Sequence, residues 1–476
     1  MAFVGRKREL AALEKLYATD AFQMPVVYGR RRVGKTSLIA RFVEDKPAVV
    51  FTAQESSAKE NLVAFSRAVF ELSEASGLSS TTSYTYELDA AVPVYETFDA
   101  ALDQVFRLAK ARRIVFVIDE YPYLAQSYRP ISSLLQAKID REKDESKLFL
   151  VLCGSSMSFM EHQVLGHQSP LYGRRTSQIK VEPFDVFEAR ELLGDMSAEE
   201  AVAWYGMVGG VPLYVEQFDC ALSLEQNIAD NILRTDSFLF GEPDSYLQQE
   251  LRDPSMYNAV VRAVVSGIGK PAEIADAAGV DSAALAGYLK SLMELGIVQK
   301  EQPVIDANRK KVRYRIADNL FRFWYRFVPR YLTPLQVGRA DDIARLIMER
   351  HLSTYLGPSF EEVCRQWLLR EMGGERMPQL ILNIGRWWGN DPVRKEQAEI
   401  DIVALCDDDA ILFAECKWRE KATDVDVLET LERRSLLIPA RERILFVFSK
   451  AKFTDACQDR AEKIGAALVK LSDMGL

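Results

Sequence analysis

The sequence predicts an α/β protein composed of several domains. Residues 1–155 alternate short, β-rich apolar runs with helical patterns. Residues 254–316 have the pattern of three helices followed by two short strands, and residues 351–476 return to alternating helices and strands. At 476 residues the chain is also longer than one ordinary domain. We therefore expect a parallel sheet near the N-terminus and a smaller α/β domain at the C-terminus.

The N-terminal part is predicted to form a parallel sheet that helices cover on both faces. Short apolar strands separated by helices are typical of such sheets. The candidate strands are Val26–Tyr28, Ala48–Thr52, Ile114–Ile118 and Leu148–Leu152. From Asp185 to about Glu250 the pattern becomes helical, as in a lid packed on the sheet.

Composition excludes several classes of protein. The chain is 48% hydrophobic and 27% charged, which is ordinary for a globular protein, and its net charge of -9 confines any nucleic-acid surface to a local patch. Six cysteines without a C-x-x-C pair, together with three histidines, argue against a structural zinc site and a disulfide framework. The charged N-terminus does not resemble a signal peptide, and no apolar run approaches the ~20 residues that span a bilayer. We predict a cytoplasmic protein without membrane contact.

The strongest local motif is GRRRVGKT at residues 29–36, which fits G-x-x-x-x-G-K-[ST] between a strand and a helix. Its glycines let backbone N–H groups surround phosphates, and the following helix N-terminus favours negative charge. Lys35 is expected to reach the β- and γ-phosphates of ATP, and Thr36 to ligate Mg²⁺. The predicted nucleotide-binding residues are Gly29, Arg30, Arg31, Arg32, Val33, Gly34, Lys35, Thr36 and Ser37.

A second motif ends the apolar strand Ile114–Ile118 with two carboxylates, Asp119 and Glu120. Ligands of open α/β sheets bind beyond the carboxyl ends of the strands. Asp119 is predicted to hold Mg²⁺ through water or through Thr36. Glu120 is predicted to orient and deprotonate the water that attacks ATP.

Two further segments are candidates for contact with the γ-phosphate. The strand Leu148–Leu152 ends in Cys-Gly-Ser-Ser, which places Ser155 at a neighbouring strand tip, although a plain turn would look the same. Arg174 and Arg175 follow a glycine turn, and either could stabilise charge on the γ-phosphate in cis or in trans. A solvated basic loop is the alternative for these arginines.

The pattern of residues 254–316 is that of a winged helix-turn-helix. Its helices are predicted at Val260–Val265, Pro271–Ala278 and Asp281–Leu295, and its strands at Ile297–Lys300 and Val312–Ile316. The third helix carries one basic residue, Lys290, whereas base reading usually needs Arg, Lys, Asn or Gln. The basic wing could meet phosphates through Arg309, Lys310, Lys311, Arg313 and Arg315. Contact with DNA and contact with protein are both open for this module.

Residues 317–350 are aromatic and helical. Their large side chains recur at helical spacing, which favours a packing surface between domains over a ligand site. These side chains are Leu320, Phe321, Trp324, Phe327 and Val328.

The C-terminal part is predicted to have a helix around Phe360–Arg370 and strands at Glu399–Val403, Ala410–Cys416 and Arg443–Ser449. On a strand, Glu399 and Asp401 face one way, and so do Glu415 and Lys417. Pairing these two strands would bring three carboxylates and a lysine together. Such a group suits Mg²⁺ ligation and a lysine that positions or activates water for phosphodiester cleavage. An exposed strand pair with ordinary charges is the alternative.

Taken together, these motifs resemble the archaeal-type ATPases, a family related to the STAND P-loop ATPases. The resemblance rests on FVGRKREL at the start, GRRRVGKTSL, VIDEYPYL, CGSS, SPLYGRRT and GGVP at 209–212, in the family's order. It implies that Gly5 and Arg6 help to seat the adenine and that Pro212 approaches the base. Longer members carry a C-terminal domain similar to PD-(D/E)XK nucleases, a fold that often loses catalysis. That likeness implies Asp401, Glu415 and Lys417 as catalytic residues, Asp401 and Glu415 as metal ligands, and Glu361 as an additional acidic ligand.

The predicted organisation has five parts. They are an ATPase core (1–184), a helical lid (185–252), a winged helix-turn-helix (253–318), a helical connector (319–350) and a nuclease-like domain (351–476). The predicted function is an ATP-hydrolysing switch that controls a DNA-directed, metal-dependent nuclease-like domain, with ATP and Mg²⁺ as cofactors. The alternatives are an ATP-dependent scaffold that binds DNA or protein with an inactive nuclease fold, and a remodelling ATPase. The sequence does not determine the oligomeric state.

Overall fold

The computed structural model describes residues 3–75, 94–194, 196–305 and 311–476. The chain divides into two compact units, Met1–Pro183 and Phe184–Leu476. The finer division into five domains stays a prediction. Within the described ranges, no helix combines the length and the apolar composition needed to cross a membrane.

The first unit is built on a parallel five-stranded sheet with the strand order β2-β3-β4-β1-β5. Its strands are β1 (Pro25–Tyr28), β2 (Ala48–Thr52), β3 (Ile114–Asp119), β4 (Leu148–Gly154) and β5 (Ser177–Lys180). All residues of β3 and β4 are buried, as expected for central strands covered on both faces. The predicted α/β class and all four predicted strands are confirmed. The edge strand β5 was missed because its sequence, SQIK, has a single apolar residue.

Helices cover both faces of this sheet. They are α1 (Lys7–Tyr17), α2 (Lys35–Val43), α3 (Ala58–Ala75), α4 (Phe98–Ala111), α5 (Tyr121–Ser127), α6 (Ile131–Glu142) and α7 (Met157–Phe159). Side chains alternate across β3, so Phe116 joins one hydrophobic core with α3 to α6, while Val117 joins the other with α1 and α2. The two cores fix the carboxyl ends of β1, β3 and β4 beside one another.

The second unit begins with the helices predicted for residues 185–250. They are α8 (Val186–Leu193), α9 (Ala198–Val208), α10 (Pro212–Val215), α11 (Leu224–Asn227) and α12 (Phe238–Glu250), with a π-helical segment at Ile228–Leu233. Capping boxes start α8 at Asp185 and α9 at Ser197, where each side chain accepts a hydrogen bond from the backbone of a glutamate three residues later.

The helix-turn-helix pattern also forms as predicted. Its elements are α13 (Ser255–Val265), α14 (Pro271–Ala278), α15 (Ser282–Glu294), β6 (Val298–Glu301) and β7 (Arg313–Ile316), with β6 and β7 antiparallel. Asp281 caps α15 by accepting from the backbone N–H of Ala283. Of the predicted wing, Arg309 and Lys310 lie outside the described residues.

An aromatic helical segment follows, with α16 (Asn319–Phe327), α17 (Leu332–Gln336) and α18 (Ala340–Arg350). The five large side chains singled out above, from Leu320 to Val328, are all buried, at 0–7% relative exposure. That burial fits a packing surface rather than an open ligand site.

The chain ends in a second α/β arrangement with the strand order β12-β11-β10-β9-β8. It contains α19 (Leu352–Glu371), β8 (Ile381–Asp391), β9 (Glu396–Cys406), β10 (Ala410–Lys417), α20 (Val425–Ser435), β11 (Glu442–Ser449), α21 (Asp455–Ile464) and β12 (Ala467–Lys470). The pairs β8–β9 and β9–β10 are antiparallel, whereas β10–β11 and β11–β12 are parallel. The predicted helix and three strands are present, and β8 and β12 extend the sheet on each side.

Candidate functional site

The loop between β1 and α2 has the backbone geometry of an anion cradle. Arg32 and Gly34 adopt positive φ angles of 71° and 87°, and Gly34 is the N-cap of α2. Gly29 leaves no room for a side chain, since a Cβ there would lie 2.3 Å from the carbonyl oxygen of Val181. The loop therefore turns tightly into the N-terminus of α2, where backbone N–H groups are available to an anion.

The Lys35 side chain folds onto this loop. Its Nζ donates hydrogen bonds to the carbonyl oxygens of Gly29 at 3.0 Å and Arg30 at 2.9 Å. Lys35 is 7% exposed, and burial lowers the pKa of its ammonium. A buried cation beside an anion cradle fits a phosphate, which would relieve the cost of its desolvation.

The N-terminal segment is attached to the same loop. Gly5 and Arg6 have positive φ angles of 62° and 55°. The buried Arg6 side chain donates from Nη2 to the carbonyl oxygen of Val33 at 2.7 Å. Among the other predicted loop residues, Arg31 donates to the Tyr123 hydroxyl at 2.8 Å, Arg30 is buried, and Ser37 is exposed. The structure thus brings Arg6, one of the residues predicted to seat the adenine, into contact with the phosphate loop.

The carboxyl end of β3 places Asp119 beside this loop. Thr36 Oγ1 lies 3.4 Å from Asp119 Oδ2, and Asp119 is 6% exposed. A hydroxyl and a carboxylate at this spacing are the oxygen ligands that Mg²⁺ prefers beside phosphates. The pair therefore fits the predicted magnesium site.

Glu120 is held by Ser155, a contact that the sequence did not reveal. Ser155 Oγ lies 2.9 Å from both Oε1 and Oε2 of Glu120, and the Ser155 N–H is 3.4 Å from Oε2. Glu120 has a positive φ of 50°, which turns the chain from β3 into α5. Since β4 pairs directly with β3, its tip can position the predicted general base.

The two candidate finger arginines contact other parts of the first unit. Arg174 forms an ion pair with Asp140 of α6 at 2.7 Å. Arg175 donates to the carbonyl oxygen of Leu165 at 2.8 Å and stacks over Tyr172. Neither guanidinium contacts the loop at 29–36 in the described part of this unit, so a role at the γ-phosphate would require movement or a second molecule.

In the second unit, Pro212 is the first residue of α10, a position that proline favours. The preceding Gly210 packs so closely on the chain that a Cβ there would lie 1.8 Å from the carbonyl oxygen of Phe184. The contact of Pro212 with the base stays a prediction.

A cluster of acidic side chains lies where the first half of β9, the carboxyl end of β10 and α19 meet (the acid cluster: Glu361, Glu399, Asp401, Glu415). The register of the two strands pairs Ala414 with Ile402, so Glu415 and Asp401 are the next residues along the ladder. Asp401 Oδ2 accepts the backbone N–H of Cys416 at 2.9 Å. Lys417 Nζ lies 2.6 Å from Glu415 Oε1. The structure therefore brings the predicted Asp401, Glu415 and Lys417 together.

Arg386 of β8 is a member of this site that sequence reasoning missed. Its Nη2 lies 3.3 Å from Glu361 Oε2, on α19, and 3.0 Å from Glu399 Oε1. Arg434 of α20 adds a second cation 3.9 Å from Glu415. The predicted acids are thus surrounded by cations of the same unit.

Burial shifts the protonation of the acid cluster. Burial, followed by the charge of Asp401, raises the pKa of Glu361 to about 7 against the opposing charge of Arg386. Burial and Asp401 also raise the pKa of Glu415. Burial lowers the pKa of Lys417, but Glu415 and Asp401 outweigh it and raise that pKa above its usual value. Lys417 is therefore protonated at neutral pH and suited to hold an anion rather than to accept a proton.

One observation argues against a metal site at the acid cluster, and two argue for it. Across the described ranges, no three or more His, Cys, Asp and Glu side chains form a group that could hold a metal ion. Yet Glu415 Oε2 is buried with no hydrogen-bond partner among the described residues, and two neighbouring carboxyls have raised pKa values. Both features suit an added cation, so the metal-ligand role of these acids is kept as a proposal.

The basic residues of the winged helix are largely engaged within their own unit. Arg313 stacks over Trp388 at 4.6 Å and lies 4.0 Å from Glu399, and Arg315 pairs with Glu301. Lys290 of α15 lies 3.7 Å from Glu294. These contacts engage Arg313 and Arg315 within the protein, and contact of the wing with DNA stays a prediction.

Comparison with known proteins now identifies the family. Residues 3–218 match the model of a family described as an ATPase domain predominantly from Archaea, and residues 324–430 match one described as archaeal and bacterial proteins of unknown function. An uncharacterised protein of Methanocaldococcus jannaschii is 32% identical over 440 residues, which cover 92% of each chain. The chain belongs to this archaeal ATPase family.

Two further proteins are similar to this chain. An uncharacterised ATP-binding protein of the same organism is 50% identical over 44 residues, which are 9% of this ATPase and 75% of that protein. A Walker-type ATPase of Pyrococcus abyssi has a TM-score of 0.52 at 19% identity, covering 68% of this chain and 96% of that chain, which shows a shared fold. The predicted family is confirmed, and with it an enzyme that binds and hydrolyses ATP.

The close packing of Gly29 in this ATPase gives a stability prediction. Gly29→Ala is expected to lower the free energy of unfolding by about 1–3 kcal/mol, because the added Cβ meets a backbone carbonyl that cannot rotate away. Gly287→Ala in α15 is the control, since a Cβ there would have no neighbour within 4 Å and helical Gly→Ala changes stabilise by roughly 0.5–1 kcal/mol. Thermal unfolding of both variants checks this, and equal midpoints for the parent and Gly29→Ala would contradict it.

Proposed function

We propose that this ATPase is a switch whose nucleotide state controls a Mg²⁺-dependent, DNA-directed nuclease site in residues 351–476. The observation that carries the nuclease part is the pairing of β9 with β10, in which Asp401 lies beside Glu415 and Lys417 and close to Glu361. Carboxylates around a lysine suit the hydrolysis of a phosphodiester. The ATP part rests on the family and on the loop at 29–36.

At the nucleotide site, Lys35 would leave the carbonyls of Gly29 and Arg30 and bind the β- and γ-phosphates. Thr36 and Asp119 would hold Mg²⁺, which neutralises phosphate charge when bound. Glu120 would accept a proton from a water whose oxygen attacks the γ-phosphorus. The bond between that phosphorus and the β–γ bridging oxygen breaks, and ADP and phosphate leave.

In the acid cluster, Asp401, Glu415 and Glu361 would hold Mg²⁺, which supplies Lewis acidity at the scissile phosphate when bound. Protonated Lys417 would donate to a phosphate oxygen and so stabilise the charge that develops on it. For the acids to bind a cation, Glu361 must lose its proton and loosen its contact with Arg386. The nucleotide state could therefore control the nuclease site by making or breaking the contact between Glu361 and Arg386.

A second candidate function is a regulatory scaffold in which the nuclease fold is inactive. It is favoured by the contacts of Arg386 and Lys417 with Glu361, Glu399 and Glu415, which already neutralise the acids. In such a protein the internal cations would replace the metal, and ATP would govern assembly on DNA or protein.

Cleavage of plasmid and short duplex DNA, measured in Mg²⁺ or Mn²⁺ with and without ATP, separates the two candidates. We expect metal-dependent cleavage whose rate changes with ATP in the parent but not in Lys35→Ala, which loses the phosphate-binding ammonium. Absence of cleavage in every condition, with ATP binding intact in the parent, would favour the scaffold.

The protonation of Glu361 gives a separate prediction that needs no metal. Its pKa in the folded protein, about 7, exceeds the usual 4.5, so the stability that it contributes at low pH is lost as pH rises through about 7. Glu361→Gln does not titrate. In EDTA, it is expected to match the parent near about pH 4, below the usual pKa, and to be more stable by about 1–3 kcal/mol near about pH 8.5.

The neighbouring Glu362 provides the control. Burial raises its pKa, but Arg365 outweighs that effect and lowers the pKa below 4.5. Glu362→Gln should therefore destabilise the protein at neutral pH and lose that effect as pH falls below about 4.5. Urea unfolding over the pH range tests both variants, and the same pH trend in the two would refute the assignment.

A further inference from the structure

A polar cavity of about 600 Å³ lies in the second unit, lined by parts of α9, β6, β7, α16, α19 and β8. Its volume falls within the roughly 300–1,000 Å³ of ligand pockets. Its lining includes five basic side chains and two acidic ones, a formal net charge of +3. The lining is therefore locally positive in a protein whose net charge is -9. The basic residues are Lys300, Arg315, Arg322, Arg365 and Arg386.

Two of these cations are neutralised within the cavity. Arg365 forms a two-point contact with Glu362, at 2.9 Å and 2.5 Å, and Arg315 pairs with Glu301. These pairs account for both acids of the lining. Lys300 and Arg322 have no acidic partner in the described part of the chain, whereas Arg386 is paired with Glu361 and Glu399, which lie outside the lining.

The three other cations keep charge or hydrogen-bond donors that no acidic group of the lining uses. Lys300 is exposed and has no ion-pair partner in the described part of the chain. Arg322 is oriented by neutral groups, the carbonyl oxygen of Gly206 at 3.2 Å and the ring of Tyr355. Arg386 uses Nη2 on the acid cluster, while its Nε is buried without a hydrogen-bond acceptor among the described residues.

We propose that this cavity binds a phosphate-bearing ligand, with Lys300, Arg322 and the free donor of Arg386 as its anion contacts. Arginine presents donors in a planar fork that matches phosphate oxygens, and a phosphate would satisfy the orphaned Nε. The ligand is either a nucleic-acid strand or a free nucleotide, since both carry the same chemistry. Arg386 links the cavity to Glu361, so an occupied cavity would act on the acid cluster. The inference concerns binding and stands whether or not that cluster cleaves DNA.

The test measures binding in EDTA, where no cleavage occurs, and in a Lys35→Ala background, where the loop at 29–36 does not hold nucleotide. The probes are a fluorescein-labelled DNA single strand of about 12 nucleotides and mant-labelled ATP. Lys300→Glu is the main variant, because the exposed ammonium has no structural partner to lose. The matched control is Lys463→Glu, which makes the same charge change at an exposed lysine of α21 outside the cavity.

We expect at least one probe to bind, Lys300→Glu to weaken its binding roughly tenfold, and Lys463→Glu to leave it unchanged. Arg386→Gln should weaken it by a similar factor, with thermal unfolding as the check on its folding. For the single strand, the slope of log affinity against log salt should fall by about 0.7 for each lost contact. Failure of both probes to bind, or equal affinity of the parent and Lys300→Glu, would overturn the proposal. Both results come from binding alone, so they are independent of whether the acid cluster cleaves DNA.

Discussion

Glu120→Gln is expected to lower ATP turnover by about 10²- to 10⁴-fold while ATP still binds. The substitution keeps the shape of the side chain and removes its ability to take a proton from water. The contacts of Lys35 with the loop carbonyls and of Thr36 with Asp119 do not involve the Glu120 side chain, so they are retained. Phosphate release under saturating ATP measures turnover, and equilibrium binding of a fluorescent nucleotide measures affinity.

Ser155→Ala tests how much ATP turnover depends on the position of the Glu120 carboxylate rather than on its ability to accept a proton. The Ser155 hydroxyl is 2.9 Å from both carboxylate oxygens, so its loss frees the base without removing it. We expect turnover to fall by roughly tenfold, less than in Glu120→Gln. Asp20→Asn, which alters an exposed ion pair with Lys147, is the control for a change elsewhere in the unit. A Glu120→Gln protein that turns over ATP at the parental rate would exclude Glu120 as the base.

The nucleotide site was predictable because its signals are local. Residues 29–36 specify a loop by their own glycines, and Asp119 and Glu120 follow directly from the buried strand Ile114–Ile118. Which side chains meet across strand tips is not local. The contact of Ser155 with Glu120 arises because the parallel pairing of β3 and β4 places these two tips side by side. The predicted role of Ser155 at the γ-phosphate stays a prediction.

The acid cluster was predictable only in part. The period of two along a strand places Glu415 and Lys417 on one face, and the observed contact confirms that geometry. Arg386 was missed because β8 has a register shift between Gly385 and Trp387, so its residues do not alternate regularly between polar and apolar. The pairing of that strand, and hence the neutralisation of Glu361, depends on tertiary structure.

Lys417→Met is expected to lower metal-dependent DNA cleavage by about 10²- to 10³-fold, the loss typical of removing one charged donor from a developing anion. Methionine keeps most of the apolar stem and removes the ammonium. The effect should reside in the cleavage rate rather than in DNA affinity, because one partly buried lysine contributes little to the long-range attraction of a strand. Single-turnover cleavage and fluorescence anisotropy with the same duplex measure the two quantities.

The raised pKa of Lys417 sharpens this test. If Lys417 acts as a protonated donor, Lys417→Arg should retain part of the cleavage rate that Lys417→Met loses, since arginine keeps the charge. The rate should also not rise with pH as a lysine loses its proton. If it acts as a proton acceptor, arginine cannot replace it. Lys421→Met, an exposed lysine that follows β10, controls for loss of positive charge nearby. Lys417 is also a partner of Glu415, so Lys417→Met removes that contact and could disturb β10. Unfolding midpoints in EDTA control for this: an unchanged midpoint means that a lower cleavage rate reflects chemistry rather than a displaced strand.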